Sequence, residues 1–125
     1  MENNELTYEI RSAIFEVFKE LGPGLLESIY EAALCYELEV RGFEVKCQLN
    51  LPVIYKNKDL GLGYRLDVLV NDSIIIEIKS VEEVKNVHKK QLLTYLKLTN
   101  KKLGLLVNFN ADYLKDKESI IRIIN

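Results

Sequence analysis

The sequence predicts an α/β domain of the α+β kind, a mixed sheet flanked by helices. Three observations lead there. Apolar residues recur at helical spacing in two segments on either side of a "GPG" break. Three strand-like segments follow, rich in Ile, Leu and Val. A further helical segment and a further apolar strand then close the chain. With 125 residues, 48% hydrophobic and 29% charged, the chain can bury a core and fits one domain spanning residues 1–125.

The first helix is expected from about Thr7 to Leu21, where Ile10, Ala13, Ile14, Val17, Phe18 and Leu21 share a face. Gly22-Pro23-Gly24 stops it. A second helix follows from about Leu25 to Arg41, with Leu26, Ile29, Ala33, Tyr36 and Val40 as its apolar stripe and Gly42 at its end. "FEVKCQLNLPVIY" alternates imperfectly and carries Pro52, which predicts an edge or bulged strand. "YRLDVLV" and "SIIIEIK" are strands joined through Asn71-Asp72, a hairpin signal. A third helix is expected from about Val84 to Asn100, then the strand "LGLLVNF"; the tail "SIIRIIN" reads as a last strand or a helical turn.

Composition excludes several function classes. Formal charge is −2, so the chain is not a globally basic, histone-like binder. One His with two scattered Cys, Cys35 and Cys47, makes no zinc ligand set. Without C-x-x-C spacing the cysteines read as free thiols in a reducing cytosol. The polar start "MENNELTYEI" is no signal peptide, and no apolar run approaches the roughly 20 residues that span a bilayer. A cytoplasmic protein without membrane partners is the expectation.

The strand "IIIEIKS", Ile74 to Ser80, sets a glutamate and a lysine into the most apolar stretch of the chain. Charged groups are seldom buried unpaired, because lost hydration costs several kcal/mol. Glu77 and Lys79 are two apart and so share a face of a strand. The preceding strand carries Asp67. A two-residue turn would place Asp67 opposite Ile76, on the wrong face. A three-residue turn, Asn71-Asp72-Ser73, pairs Val70 with Ile74 and sets Asp67 opposite Glu77. Asn and Asp tolerate the left-handed conformation such a loop needs, and the second register is the expected one. Two adjacent carboxylates repel unless one is protonated or a cation lies between them. Hard oxygen donors suit Mg²⁺ or Mn²⁺. Lys79 beside them can orient a water or stabilise charge developing on a phosphorane. From spacing alone, a buried Asp/Glu–Lys ion-pair network is the commoner explanation.

Two further segments add candidates. Gly24, Glu27 and Tyr30 lie three apart on the second helix, and Glu27 can lean over the sheet; its plain reading is a solvated glutamate at a helix start. On the third helix His88, Gln91 and Tyr95 share a face beside Leu92 and Leu96. As a lone histidine His88 is more often a surface or capping residue. From Val84 to Ala111 there is no acid, while Lys85, Lys89, Lys90, Lys97, Lys101 and Lys102 are basic. Such a stretch is a candidate nucleic-acid-binding surface, though a charge run alone is more often a solvated helix face.

"GLLESIY", Gly24 to Tyr30, resembles the signature of the small bacterial GxxExxY proteins, grouped with the PD-(D/E)XK nuclease superfamily. The likeness extends through "YRLDVLV", "IIIEIKS", "HKKQLLTYLK" and "LGLLVNF". It implies a restriction-endonuclease-like αβββαβ core with an extra N-terminal helix. It also implies that Asp67 is the motif aspartate, Glu77 the acid and Lys79 the lysine of (D/E)-x-K. Glu27 matches the helix acid, and Gln91 with Tyr95 the Q-x-x-x-Y element of the RecB-like branch. Leu66 stands where the motif has proline. The function implied is a Mg²⁺- or Mn²⁺-dependent nuclease acting on DNA or RNA. Its catalytic set is Lys79, Glu77, Asp67, Glu27 and Gln91, its metal ligands Asp67, Glu77 and Glu27. Nucleic acid would be held by Lys85, Lys89, Lys90, Lys97, Tyr95 and His88. At this size, specificity would come from homodimerisation or a partner protein. The competing readings are a catalytically inactive nucleic-acid-binding or assembly module that retains the fold, and a purely structural protein.

Overall fold

The computed structural model describes residues 3–115 and 117–125. Two helices, α1 (Asn3–Leu21) and α2 (Glu27–Val40), precede three strands, β1 (Val45–Tyr55), β2 (Lys58–Val70) and β3 (Ile74–Lys79). Helix α3 (Asn86–Thr99), β4 (Leu103–Asn108) and β5 (Ile120–Ile124) complete the chain. The strands form one sheet in the order β1-β2-β3-β4-β5. All neighbours are antiparallel except β3 and β4, which α3 connects as a parallel pair. The tail is a strand, and β1 lies at the edge, as Pro52 predicts; a register shift falls between Pro52 and Ile54. Helix α1 starts four residues before the expected Thr7, because Leu6 extends its buried stripe of Ile10, Ala13, Ile14 and Val17.

The sheet separates two cores. Ile74, Ile76 and Ile78 pack under α1 and α2 with Val68, Val70, Leu105 and Val107. Ile75, Leu69 and Leu106 pack under α3 against Leu92, Tyr95 and Leu96. Helix α3 approaches β4 closely: a Cβ at Gly104 would stand 2.9 Å from Leu92 Cδ1.

Two expectations are corrected. The α2 stripe of Leu26, Ile29, Tyr36 and Val40 is exposed; the buried face carries Tyr30, Glu31, Leu34, Cys35 and Leu38. Both sides of this helix carry apolar residues, so periodicity alone does not choose between them. The choice falls to Tyr30. Its ring stacks on Phe109 at 4.3 Å between centroids, and its hydroxyl donates to Gly22 O and accepts from Leu25 N–H, holding the turn before α2. The cysteines are not free. Cys35 on α2 and Cys47 on β1 form a disulfide with Cα atoms 6.8 Å apart, so cysteine usage does not argue for a reducing compartment. Among the described residues no helix is long and apolar enough to cross a membrane.

Candidate active site

The hairpin register is the one a three-residue connection requires. Val70 faces Ile74, Leu69 faces Ile75 and Val68 faces Ile76. Asn71 and Asp72 both take a φ of 51°, Ser73 N–H donates to Val70 O at 3.0 Å, and Ser73 is the extra residue. Antiparallel pairing then stops at Val68 and Ile76, one rung short of Asp67 and Glu77. Beyond that rung the two strands fork, while β3 stays paired with β4 through Lys79 and Asn108.

The side chains take over where the ladder ends. Ile78 N–H donates to Asp67 Oδ2 at 2.8 Å, and Asp67 N–H donates to Glu77 Oε1 at 3.2 Å. Each carboxylate thus replaces a ladder carbonyl, which holds the pair at the carboxyl end of β3 beside the parallel crossover, where open α/β sheets bind ligands. The strand alternation also inverts at this point. Val45 packs with the α1/α2 core, whereas Leu49 and Leu51, of the same parity, pack with the α3 core. On β2, Leu66 belongs to the α3 core but Val68 to the other. Gln48, between the Cys47–Val68 and Leu49–Leu66 rungs, adopts a left-handed φ of 54°. The two carboxyl groups therefore meet at a fork between α2 and α3, not on one plain face of the sheet.

The fork is electrostatically tense. Glu77 is only 5% exposed; burial and then the facing Asp67 carboxylate push its pKa up to about 8, against the partial relief given by Asp67 N–H and Lys79. Burial also raises Asp67, opposed by the Ile78 N–H and by Lys79. Two carboxyl groups this close oppose each other's ionisation, which favours a proton on one of them. Lys79 lies near enough to favour the charged form of both acids.

Helix α2 contributes two more acids. Glu27 Oε2 accepts from Ser80 N–H at 2.9 Å, and Ser80 Oγ donates to Leu25 O at 2.9 Å. These bonds pin the start of α2 to the residue after Lys79. Glu31, which the sequence reading missed, is buried one turn later. Burial and Asp67 raise its pKa, while the Gln48 side chain and the nearby Arg65 lower it. Its signal was the i, i+4 spacing from Glu27. Asn108, also missed, clamps the loop after β3: its amide accepts from Val81 N–H and donates to Val81 O.

Helix α3 closes the other side. Burial, followed by the charges of Glu77 and Asp67, raises the Tyr95 phenol to about 12, against the partial relief given by the Gln91 side chain. Tyr95, expected at the nucleic-acid surface, is only 3% exposed and packs in the α3 core. His88 Nδ1 accepts from Lys85 N–H at 2.9 Å, which caps the start of α3. Lys85, Lys90 and Lys97 are exposed and Lys89 is half-buried; Lys101 pairs with Asp72 at 3.1 Å.

The donor set suits a divalent cation. Two facing carboxyl groups that oppose each other's ionisation can both ionise around a hard cation, and Mg²⁺ often takes only one or two carboxylates besides water and phosphate. Among the described residues no group of three or more His, Cys, Asp or Glu side chains gathers as a metal site. Glu27, bonded to Ser80, does not join Asp67 and Glu77 as a ligand trio.

A mixed five-stranded sheet flanked by three helices, forked at an acid pair beside a lysine, defines a restriction-endonuclease-like α+β domain. The family model of the PD-(D/E)XK nuclease superfamily matches residues 4–123, and the chain belongs to that superfamily. Nucleases of this superfamily generally use divalent metals. No curated protein and no solved structure matches the chain.

Proposed function

We propose that the protein is a Mg²⁺- or Mn²⁺-dependent nuclease that hydrolyses phosphodiester bonds of DNA or RNA. The observation that carries this reading is the fork, where Glu77 is buried and Asp67 half-buried, Ile78 N–H holds Asp67 and Asp67 N–H holds Glu77, and Lys79 lies alongside. Asp67, Glu77 and the main-chain carbonyl of Ile78 are the groups that would hold the metal. A bound cation would supply Lewis-acid polarisation of the phosphate and a more acidic water. The Lys79 ammonium orients the attacking water and offsets the negative charge that grows as the water oxygen bonds to phosphorus and the ester oxygen leaves. Glu27 positions Lys79 indirectly, through Ser80. Gln91 and the neutral Tyr95 phenol form the polar wall facing the acid pair.

Purified protein with Mg²⁺ or Mn²⁺ should cut DNA or RNA. Glu77→Ala and Lys79→Ala should each abolish cutting, and cleavage that survives both points to a contaminant. That no three such side chains gather as a metal site among the described residues favours one other reading, a binding module that keeps the fold without the chemistry. Salt-dependent binding with no metal-dependent cleavage would select it.

A further inference from the structure

We propose that the outer half of the β1–β2 hairpin is the surface that holds the nucleic-acid strand, and that it takes an unpaired nucleotide in a groove beside Asp67. The proposal rests on the nuclease reading for the identity of the site and adds the substrate class, a single strand.

This arm has an unusual environment. β3 pairs with β2 only from Val68 to Val70, so among the described residues the rest of β2 has no strand on that side. Residues 58–65 are all exposed. Two-stranded ribbons are marginal in water without something packed on them. The occupant is not another strand, because the edge is blunted against one. The register shift between Pro52 and Ile54, the φ of 70° at Gly61 and the lysines all discourage edge pairing.

Charge points to a polyanion. From residue 45 to 65 the chain carries Lys46, Lys56, Lys58 and Arg65 against the single acid Asp59, although the whole protein carries −2. Asp59 is engaged within the arm, its Oδ1 accepting from Gly61 N–H at 2.9 Å.

Shape and chemistry point to a base. A groove of about 480 Å³ runs along the arm, lined by Leu51, Pro52, Leu62 and Tyr64 with Asn50 and Arg65 among its polar groups. An apolar and aromatic floor gains nothing from a phosphate but accepts the flat face of a base, while an amide and a guanidinium can meet its edge. Further out, Tyr55 is 59% exposed with Lys56 Nζ 5.4 Å from its ring centroid, a second place where a base can stack beside a cation. Bases inside a duplex have both faces covered by their neighbours, so only unpaired bases can use these rings.

The groove also leads to the fork. Tyr64 packs against Tyr95 with ring centroids 5.3 Å apart, and Tyr95 lies within electrostatic reach of Glu77 and Asp67. Arg65 is two residues from Asp67 and within electrostatic reach of Glu31. A nucleotide in the groove lies next to the phosphate at the site.

The test is fluorescence anisotropy of labelled single-stranded DNA, single-stranded RNA and duplex DNA of one sequence, in EDTA. Hydrolysis of bis(p-nitrophenyl) phosphate with Mn²⁺ is measured in parallel. Wild-type protein should bind at least one single strand about tenfold more tightly than the duplex. Lys56→Ala with Lys58→Ala should weaken that binding about tenfold and reduce the salt slope by about two. Tyr55→Ala with Leu62→Ala should weaken it about tenfold with the slope unchanged. All these variants should hydrolyse the small diester like wild type, which also shows that they fold. Duplex bound as tightly as both single strands, or wild-type affinity in both double variants, overturns the proposal. Failure of wild-type protein to hydrolyse the small diester, with the arm results as expected, would overturn the nuclease reading and leave the arm as a binding surface.

Discussion

β3 and the outer half of β2 are neighbouring strand segments that meet opposite fates. In β3 every residue but Lys79 is buried; in β2 the stretch from Lys58 to Arg65, with Leu60, Leu62 and Tyr64, is wholly exposed. The difference is pairing. β3 has a strand on each side and a helical layer on each face, whereas the arm has, among the described residues, one partner strand and little cover beyond the Tyr64–Tyr95 contact. The candidate site occupies the boundary, where one strand stays in the sheet, the other leaves it, and the main-chain N–H groups freed from the ladder hold the two acids.

The boundary residues give the largest expected effect. Glu77→Gln should lower metal-dependent cleavage about a thousandfold, while arm substitutions leave small-diester hydrolysis intact. Equal loss of small-diester hydrolysis in both sets would erase the distinction between site and arm.

Stability should separate the regions next. Ile75→Ala, fully buried in β3, should cost about 2–5 kcal/mol. Leu62→Ala in the arm should stay within about 0.5 kcal/mol. Chemical denaturation of both variants measures this, and comparable losses would mean that the arm is packed against something in solution.

The fork also predicts a pH dependence. Glu77 titrates at about 8 in the fold against about 4.3 in an unfolded chain, so the native state holds the extra proton between those values. Stability of the metal-free protein should therefore fall, by a few kcal/mol, as pH rises from about 4.5 through 8. Mg²⁺ at pH 8 should restore it, and Glu77→Gln should flatten the slope. Thermal melts across that range would refute the assignment if the metal-free protein grew more stable toward pH 8.

The smallest effect concerns the join between α2 and β1. Reducing Cys35–Cys47 opens a loop with a sequence separation of 12, which should cost about 2–3 kcal/mol. A melt with and without thiol reads it directly.

Much of the fold was legible because its signals are local. Asn71-Asp72 with Ser73 fixed the hairpin register, Pro52 marked an edge strand, and the alternation in "IIIEIKS" singled out Glu77 and Lys79. What stayed hidden depends on tertiary choice. α2 is apolar on both sides, and only the Tyr30–Phe109 stack decides which side is buried. Nothing in composition marks a non-glycine residue such as Gln48 for a left-handed φ, so the inversion at Asp67 could not be read from parity. Glu31 looked like one more helix acid until α2 was placed over the fork. The disulfide joins a helix to a strand, a proximity that spacing in the chain does not encode.

That covalent link has a practical result for peptide mapping. It encloses the turn at Gly42 and the exposed Lys46. A protease that cuts the backbone anywhere between the two sulfur-bearing residues leaves both fragments attached, so the nicked molecule migrates as one band until a thiol is added.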